Sequence, residues 1–542
     1  MVKRMKLMQV PILLMAILLL IPLTSCSSKD GSGVIFKYDI PNNPQNLDPQ
    51  SASDYESLLI IENVFEGLLK VKDDGKLTEG MAIDYKVSDD GLKYEFNLRE
   101  DALWIDKNEF EARVTAHDFV FAFKRLFDPT TNAPLASKFY CIKNAKRIHD
   151  GKISSDEVGV YADGDYRLII ELDYPNTMFL NQLVTAPAMP CNEEYFYNTG
   201  GKYGLDARST PSNGAFYLTA WNYDRWSNTN NHLVLRRNYE YANRVPVYPF
   251  GLNFFITKDI NTYVDRFVDK QTDSVIATSE DVDKLTSLGH NVKGYENTTW
   301  GLIFNSDNQV MANKNLRNAL SLCTDRATFA SVLNGGFTPA YGIVPPNVTI
   351  LDKGFRDYAQ DRVVPDFSHK KAEELYAKVT IKDLESFRVI LPESLSHIDY
   401  FSYIAQQWQK NLNFFCTIEE LDDISYQRAL TSGDYDMALV SLTGDYNSPE
   451  AFLSKFTTTD IFNKYGQKNS KIDSILKDAT KEDDIKTSAD AYKKVEKMII
   501  DEAMFIPLYY QTEYFVQEKN VADIEYNSFS KSIFFGNAKS FE

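Results

Sequence analysis

Apolar positions along this chain follow two different periods, and the change from one to the other divides it. Between residues 66 and 170 the pattern is that of strands and tight turns. Tyr85–Val87 and Tyr94–Leu98 flank Ser88-Asp89-Asp90-Gly91, and Val158–Tyr161 and Leu168–Leu172 flank Ala162-Asp163-Gly164-Asp165. Alternating runs around such turn residues predict two hairpins. A helix is predicted from Thr115, with Asp118 placed for a capping box and Phe119, Ala122, Phe123 and Leu126 at helical spacing. Pro129 ends it.

Later the period changes. Leu316, Ala319, Leu320 and Cys323 mark a helix face, as do Phe401, Ile404, Ala405, Trp408 and Leu412. The second helix is flanked by strand-like runs at Arg388–Leu391 and Phe414–Ile418. Strand, helix and strand in that order predict a βαβ unit, hence a parallel sheet covered by helices. A last amphipathic helix carries Ala491, Val495, Met498 and Ile499 and runs into the extended segment Ile506–Tyr510. Hairpins early and βαβ later predict at least two lobes, as does a length of 542 residues.

The N-terminus has its own pattern. Lys3, Arg4 and Lys6 precede an uncharged run from Val10 to Leu23, broken by Pro11 and Pro22. That run is short for a bilayer-spanning helix, and the order of charge, apolar stretch and small residues reads as a secretory signal over 1–25. It ends Leu23-Thr24-Ser25-Cys26, similar to a bacterial lipobox, in which the cysteine is lipidated and becomes the first mature residue. The bland reading is an ordinary signal peptide with a chance cysteine. Residues 27–33 (SSKDGSG) form a flexible tether.

Composition narrows the function. A net charge of -18, becoming -21 when residues 1–25 and their three basic side chains are removed, disfavours nucleic acid. Hydrophobic residues at 44% and charged residues at 25% describe a soluble globular protein. There is no GxSxG, HExxH, Walker or GxGxxG motif, so no enzymatic activity, cofactor or metal is expected. Four cysteines follow Cys26, with no CxxC spacing. Cys323 and Cys416 read as buried thiols. Cys141 and Cys191 have two open readings, a disulfide formed on export or two unpaired buried thiols.

A series of short motifs, in order, carries a resemblance. Leu47-Asp48-Pro49 precedes Asn63-Val64-Phe65-Glu66-Gly67, and Leu98–Trp104 precedes Val114–Val120. Asn213-Gly214-Ala215-Phe216-Tyr217-Leu218 precedes Leu235-Arg236-Arg237-Asn238. Phe304-Asn305, Leu316–Leu320 and Asp325-Arg326 follow, and then Gly444-Asp445-Tyr446-Asn447-Ser448-Pro449-Glu450-Ala451-Phe452-Leu453. In this order they resemble the oligopeptide-binding lipoproteins, solute-binding proteins of peptide ABC importers, over nearly all of the mature chain.

The resemblance implies an α/β, two-lobed periplasmic-binding-protein-like fold with a hinge and an extra β-rich domain. Residues 27–65, 171–297 and 506–542 would build lobe I, residues 66–170 an appended domain, and residues 298–505 lobe II. The implied ligand is an extended peptide. The other implied partners are the permease subunits of an ABC transporter and the membrane, reached through the lipid anchor. The protein would act as a monomer at the extracytoplasmic face. A peptide-pheromone sensor, or a nickel or haem carrier, would share the same fold.

By the same resemblance, Asp445 holds the peptide's α-ammonium group. Ser53, Asp54 and Tyr55, with Ser441, Leu442 and Thr443, lie along the ligand and pair with its main chain. Read without the family, residues 444–449 are a turn in which Asp and Asn bond their own backbone, and 53–55 and 441–443 are a loop and a sheet edge. From Leu430 to Gly444 the chain has no Lys or Arg, and Arg428 is the nearest cation, so no anchor for the ligand's carboxylate is expected. Thr298 and Thr443 stand where some relatives carry a cysteine pair.

Overall fold

A computed structural model describes residues 33–541, apart from 73–76, 177, 228–229, 242–245, 334–336, 351–352, 360–361, 381–385, 394–397, 481 and 483. Residues 1–25, which the sequence reading takes as a secretory signal, and Cys26 lie outside the described residues. The first lobe is built on a four-stranded sheet. Strand β1 (Ile35–Ile40) runs parallel to β4 (Gly251–Ile256), which continues antiparallel through β3 (His232–Arg237) to β2 (Phe216–Asn222). A helix over Tyr55–Val64 packs against it, its N-terminus capped by Asp54, whose Oδ1 accepts from the Ser57 amide at 3.0 Å.

Residues 66–172 hold a second four-stranded sheet, in which both expected hairpins are formed. Ala82–Val87 pairs with Lys93–Leu98, Tyr85 facing Phe96 and Val87 facing Tyr94, and Val160–Ala162 pairs with Arg167–Glu171. The helix expected at Thr115 spans Ala116–Phe127, with the capping box between Thr115 and Asp118 in place. Phe96, Phe119, Phe123 and Ile170 join the same continuous apolar core as Phe36, Leu59 and Phe254 of the first sheet. An ion pair ties the two parts. Arg125 donates to both oxygens of Asp48, at 3.0 and 2.5 Å, and to Gln50 at 2.8 Å, with all three side chains buried. Phe196 covers its guanidinium, 4.0 Å from the ring centre.

The second lobe surrounds a seven-stranded sheet. The βαβ unit is present: Ser386–Pro392 and Phe415–Leu421 run parallel, joined through the helix Ile398–Leu412. Met437–Thr443 lies between the first of these and a 14-residue strand, Asn291–Phe304, with Thr298 opposite Thr443. That long strand pairs with Ile506–Gln517 over nearly its whole length. At one end the pair reaches Ser274–Ala277 and the first lobe's core, where Phe515 and Tyr295 pack. At the other end Leu302, Ile303, Ile506 and Leu508 are buried in the cores of the second lobe. The two lobes are therefore joined by a two-stranded ribbon. At Gly301 its register shifts, and an added Cβ would lie 2.4 Å from the Ile506 carbonyl oxygen and from the Phe505 ring.

Cys141 and Cys191 are free, the second of the two readings the sequence left open. They are bedded in different places. Cys141 lies in the main core with its Sγ 3.8 Å from Gln182, whereas Cys191 lies in a small cluster with Phe121 and Tyr203, 3.3 Å from the Arg125 guanidinium. Burial pushes both thiols up to about 12. Cys323 is buried as expected, while Cys416 is only half-buried.

Candidate functional site

A cleft of about 1280 Å³ lies where the first lobe, the 66–172 region and the second lobe meet. Tyr55 and Thr185 line it from the first lobe, Leu135 and Lys138 from the inserted region, and Thr443 and Asp445 from the second. Its volume is above the usual range for a small-molecule pocket, roughly 300–1,000 Å³.

The second-lobe wall is made by the end of one strand and the loop after it. Met437–Thr443 is paired along its whole length on one side. On the other side its neighbour Ser386–Pro392 reaches only Met437 and Ala438, so among the described residues no strand covers the edge from Leu439 to Thr443. The chain then turns through Gly444, where a Cβ would lie 2.6 Å from the Phe452 ring and 3.1 Å from the Ala451 Cβ. Ser448 caps the short helix Pro449–Leu453, and Ala451, Phe452 and Leu453 bury themselves in the lobe's core. Asn447 fastens the loop sideways by accepting from the Thr349 amide at 2.9 Å. Asp445 is left projecting into the cleft.

Its carboxylate does not serve the turn. Among the described residues it meets two lysines, Lys138 at 2.9 Å and Lys455 at 3.4 Å, and both approach Oδ2. No hydrogen bond from the described residues reaches Oδ1, and the side chain remains 37% exposed. Burial pushes the carboxyl up, but the Lys455 and Lys138 ammonium groups more than offset this and hold it below the usual carboxylate range. Lys138 belongs to the turn Ala136–Phe139, so its pair with Asp445 spans the cleft. Nearby, the Tyr446 hydroxyl donates to Glu450, whose carboxyl burial pushes up.

Of the residues expected at the ligand, Ser53, Tyr55, Thr443 and Asp445 line the cleft. Asp54 is a helix cap, Leu442 is buried in the core, and Ser441 is exposed on the uncovered strand edge. Arg428 is exposed on the helix Asp423–Ser432 and forms no part of the wall. Residues 430–444 supply no cation to the wall, but Lys72, Lys138 and Lys531 all line it. They come from segments remote from residues 430–444, where sequence reasoning had looked. Lys531 lies 3.2 Å from Glu513. Glu62 also faces the cleft, and burial pushes its carboxyl up to about 7 against the pull of Lys70. Among the described residues, no cluster of His, Cys, Asp or Glu is arranged to hold a metal, and no helix is long and apolar enough to cross a membrane.

Comparison with known proteins agrees with this architecture. The chain is 28% identical over 513 residues to the oligopeptide-binding protein OppA of Bacillus subtilis, covering 92% of this chain and 91% of the relative. Among solved structures, the Escherichia coli murein tripeptide binding protein MppA superposes with a TM-score of 0.80 at 25% identity, covering 94% of this chain and 98% of that one. The substrate-binding domain of an oligopeptide ABC transporter from Bacillus anthracis superposes with a TM-score of 0.78 at 26% identity, covering 93% and 99%. Residues 76–464 match the middle region of the bacterial extracellular solute-binding proteins, family 5. That match takes in well over half of the sequence, and the chain belongs to this family.

Proposed function

We propose that the protein captures peptides in the interlobe cleft and delivers them to the permease of an ABC importer, tethered outside the cytoplasmic membrane through a lipid on Cys26. The observation that carries the reading is Asp445: an ionised carboxylate facing a cleft large enough for a peptide, with one oxygen open. An α-ammonium group placed at Oδ1 gains a charge-assisted hydrogen bond in surroundings drier than bulk water. The uncovered edge from Leu439 to Thr443 supports the same reading, because main-chain pairing there holds a ligand without reading its side chains. The ribbon of two strands supplies the hinge about which the lobes close.

Calorimetry of the mature protein with a free tetrapeptide and its N-acetylated form tests this. A hydrogen bond to a charged group is worth about 1.5–3 kcal/mol, so acetylation, or Asp445→Ala with the free peptide, weakens binding by about one to two orders of magnitude. Equal affinity for the free and acetylated peptides would refute the anchor.

A further inference from the structure

Asp445 carries more than a ligand's ammonium needs. Lys138 reaches its Oδ2 at 2.9 Å from the opposite wall, and Lys455 reaches the same oxygen from behind at 3.4 Å. The two lysines differ in one respect: Lys138 lines the cleft and Lys455 does not. The backbone under Lys138 is held firmly. Phe139 is fully buried and packs on Phe123 of the helix Ala116–Phe127 with ring centres 5.9 Å apart, and Ala136 is buried in the same core. A ligand ammonium at Oδ1 therefore leaves Lys138 in place, with its own ammonium beside the ligand's first residue.

The geometry points to Lys138 as the residue that sets specificity at the ligand's first position, favouring an acidic side chain there and disfavouring a basic one. The Lys138–Asp445 pair presents a positive and a negative charge side by side. The complementary ligand end is also a zwitterion, an ammonium with a carboxylate a few bonds away, as in a peptide beginning with Asp or Glu. A first residue with Lys or Arg would place a second ammonium against Lys138. This proposal rests on the reading that Asp445 binds the ligand's ammonium, and adds to it a preference by charge.

The test is calorimetry at pH 7 with three tetrapeptides, Glu-Ala-Ala-Ala, Gln-Ala-Ala-Ala and Lys-Ala-Ala-Ala, against the wild type, Lys138→Gln and Lys138→Arg. Unit charges ~6 Å apart in a partly wet cleft give about a tenfold step between neighbouring members of the series. The wild type should bind the Glu peptide best and the Lys peptide worst. Lys138→Gln should bind all three within about threefold of one another, while Lys138→Arg keeps the order and so separates charge from fold. Equal binding of the Glu and Gln peptides by the wild type would overturn the proposal and leave the peptide reading intact. A uniform gain for all three peptides in Lys138→Gln would also overturn it, because Lys138 would then be a competitor in the ammonium's seat. Failure of every peptide to bind the wild type would overturn the peptide reading itself.

Discussion

Glu496 sits at the centre of the second lobe with no exposed surface, on the inner face of the helix Ile485–Asp501. Its Oε1 accepts from the amides of Ile343 and Val344 at 2.7 and 3.0 Å. Arg356 closes a two-pronged pair on it, at 2.8 Å to Oε2 and 2.7 Å to Oε1, and also donates to the Val344 carbonyl. These bonds fix the start of the segment that carries Asn347, Thr349 and Ile350 into the cleft wall. Replacing Arg356 by Met leaves a buried carboxylate with only its amide donors. Breaking such a pair costs about 3–5 kcal/mol, and the two remaining amides place this case near ~3 kcal/mol. Glu496→Gln keeps an acceptor for the amides but removes the negative charge that Arg356 meets. The double variant removes both charges, so the cycle should return a coupling of about 2 kcal/mol. Urea unfolding of the four proteins measures it, and peptide affinity should fall in Arg356→Met as the wall segment loosens. A loss below about 1 kcal/mol in Arg356→Met, or a coupling below about 0.5 kcal/mol, would refute the reasoning.

Two further outcomes follow from the buried groups. Cys141 and Cys191, as free thiols with their ionisation pushed up to about 12, should resist iodoacetamide in the native protein. After denaturation without reductant, all four cysteines beyond Cys26 should be alkylated; uptake by only two would restore the disulfide. Asp445 gives a pH dependence. Its carboxyl is held below the ordinary value near ~3.9, so its contribution is fully present above that pH and is lost as pH falls through the lowered value. The affinity ratio of wild type to Asp445→Asn for a C-terminally amidated peptide should be level from pH 8 to about 4 and fall only below that. A decline already between pH 5 and 4 would show that the lysines do not depress it.

What could be read from the sequence was local. The hairpins, the capping box at Thr115 and the βαβ unit each lie within a few dozen residues, where period and turn chemistry act directly. Asp445 was legible only because a family motif surrounds it; its turn chemistry alone pointed elsewhere, and the structure gives that side chain to lysines instead. Lys138 gave no signal, because it stands about 300 residues from Asp445 and only the folded lobes bring them together. The parallel pairing of Ile35–Ile40 with Gly251–Ile256 was hidden for the same reason. The sequence left Cys141 and Cys191 open between a bridge and two unpaired thiols, because two cysteines in the same half of a chain can belong to one packing cluster or, as here, to different ones.

The ribbon joining the lobes also orders their folding. The buried residues of one second-lobe core all lie between Ile303 and Phe505, in one unbroken stretch. The first lobe's core is assembled from residues 36–256 and from Phe515 to Ala538, with Phe535 packed on Phe36, Tyr38 and Phe254. A chain emerging from its N-terminus delivers the first lobe early but withholds its last wall until the end. Long-range closure of that kind is slow, and exposed strands wait for it. The lobe that begins first is the one completed last, so the final thirty or so residues act as its keystone, and a chain truncated there would lose a domain where it lost a tail.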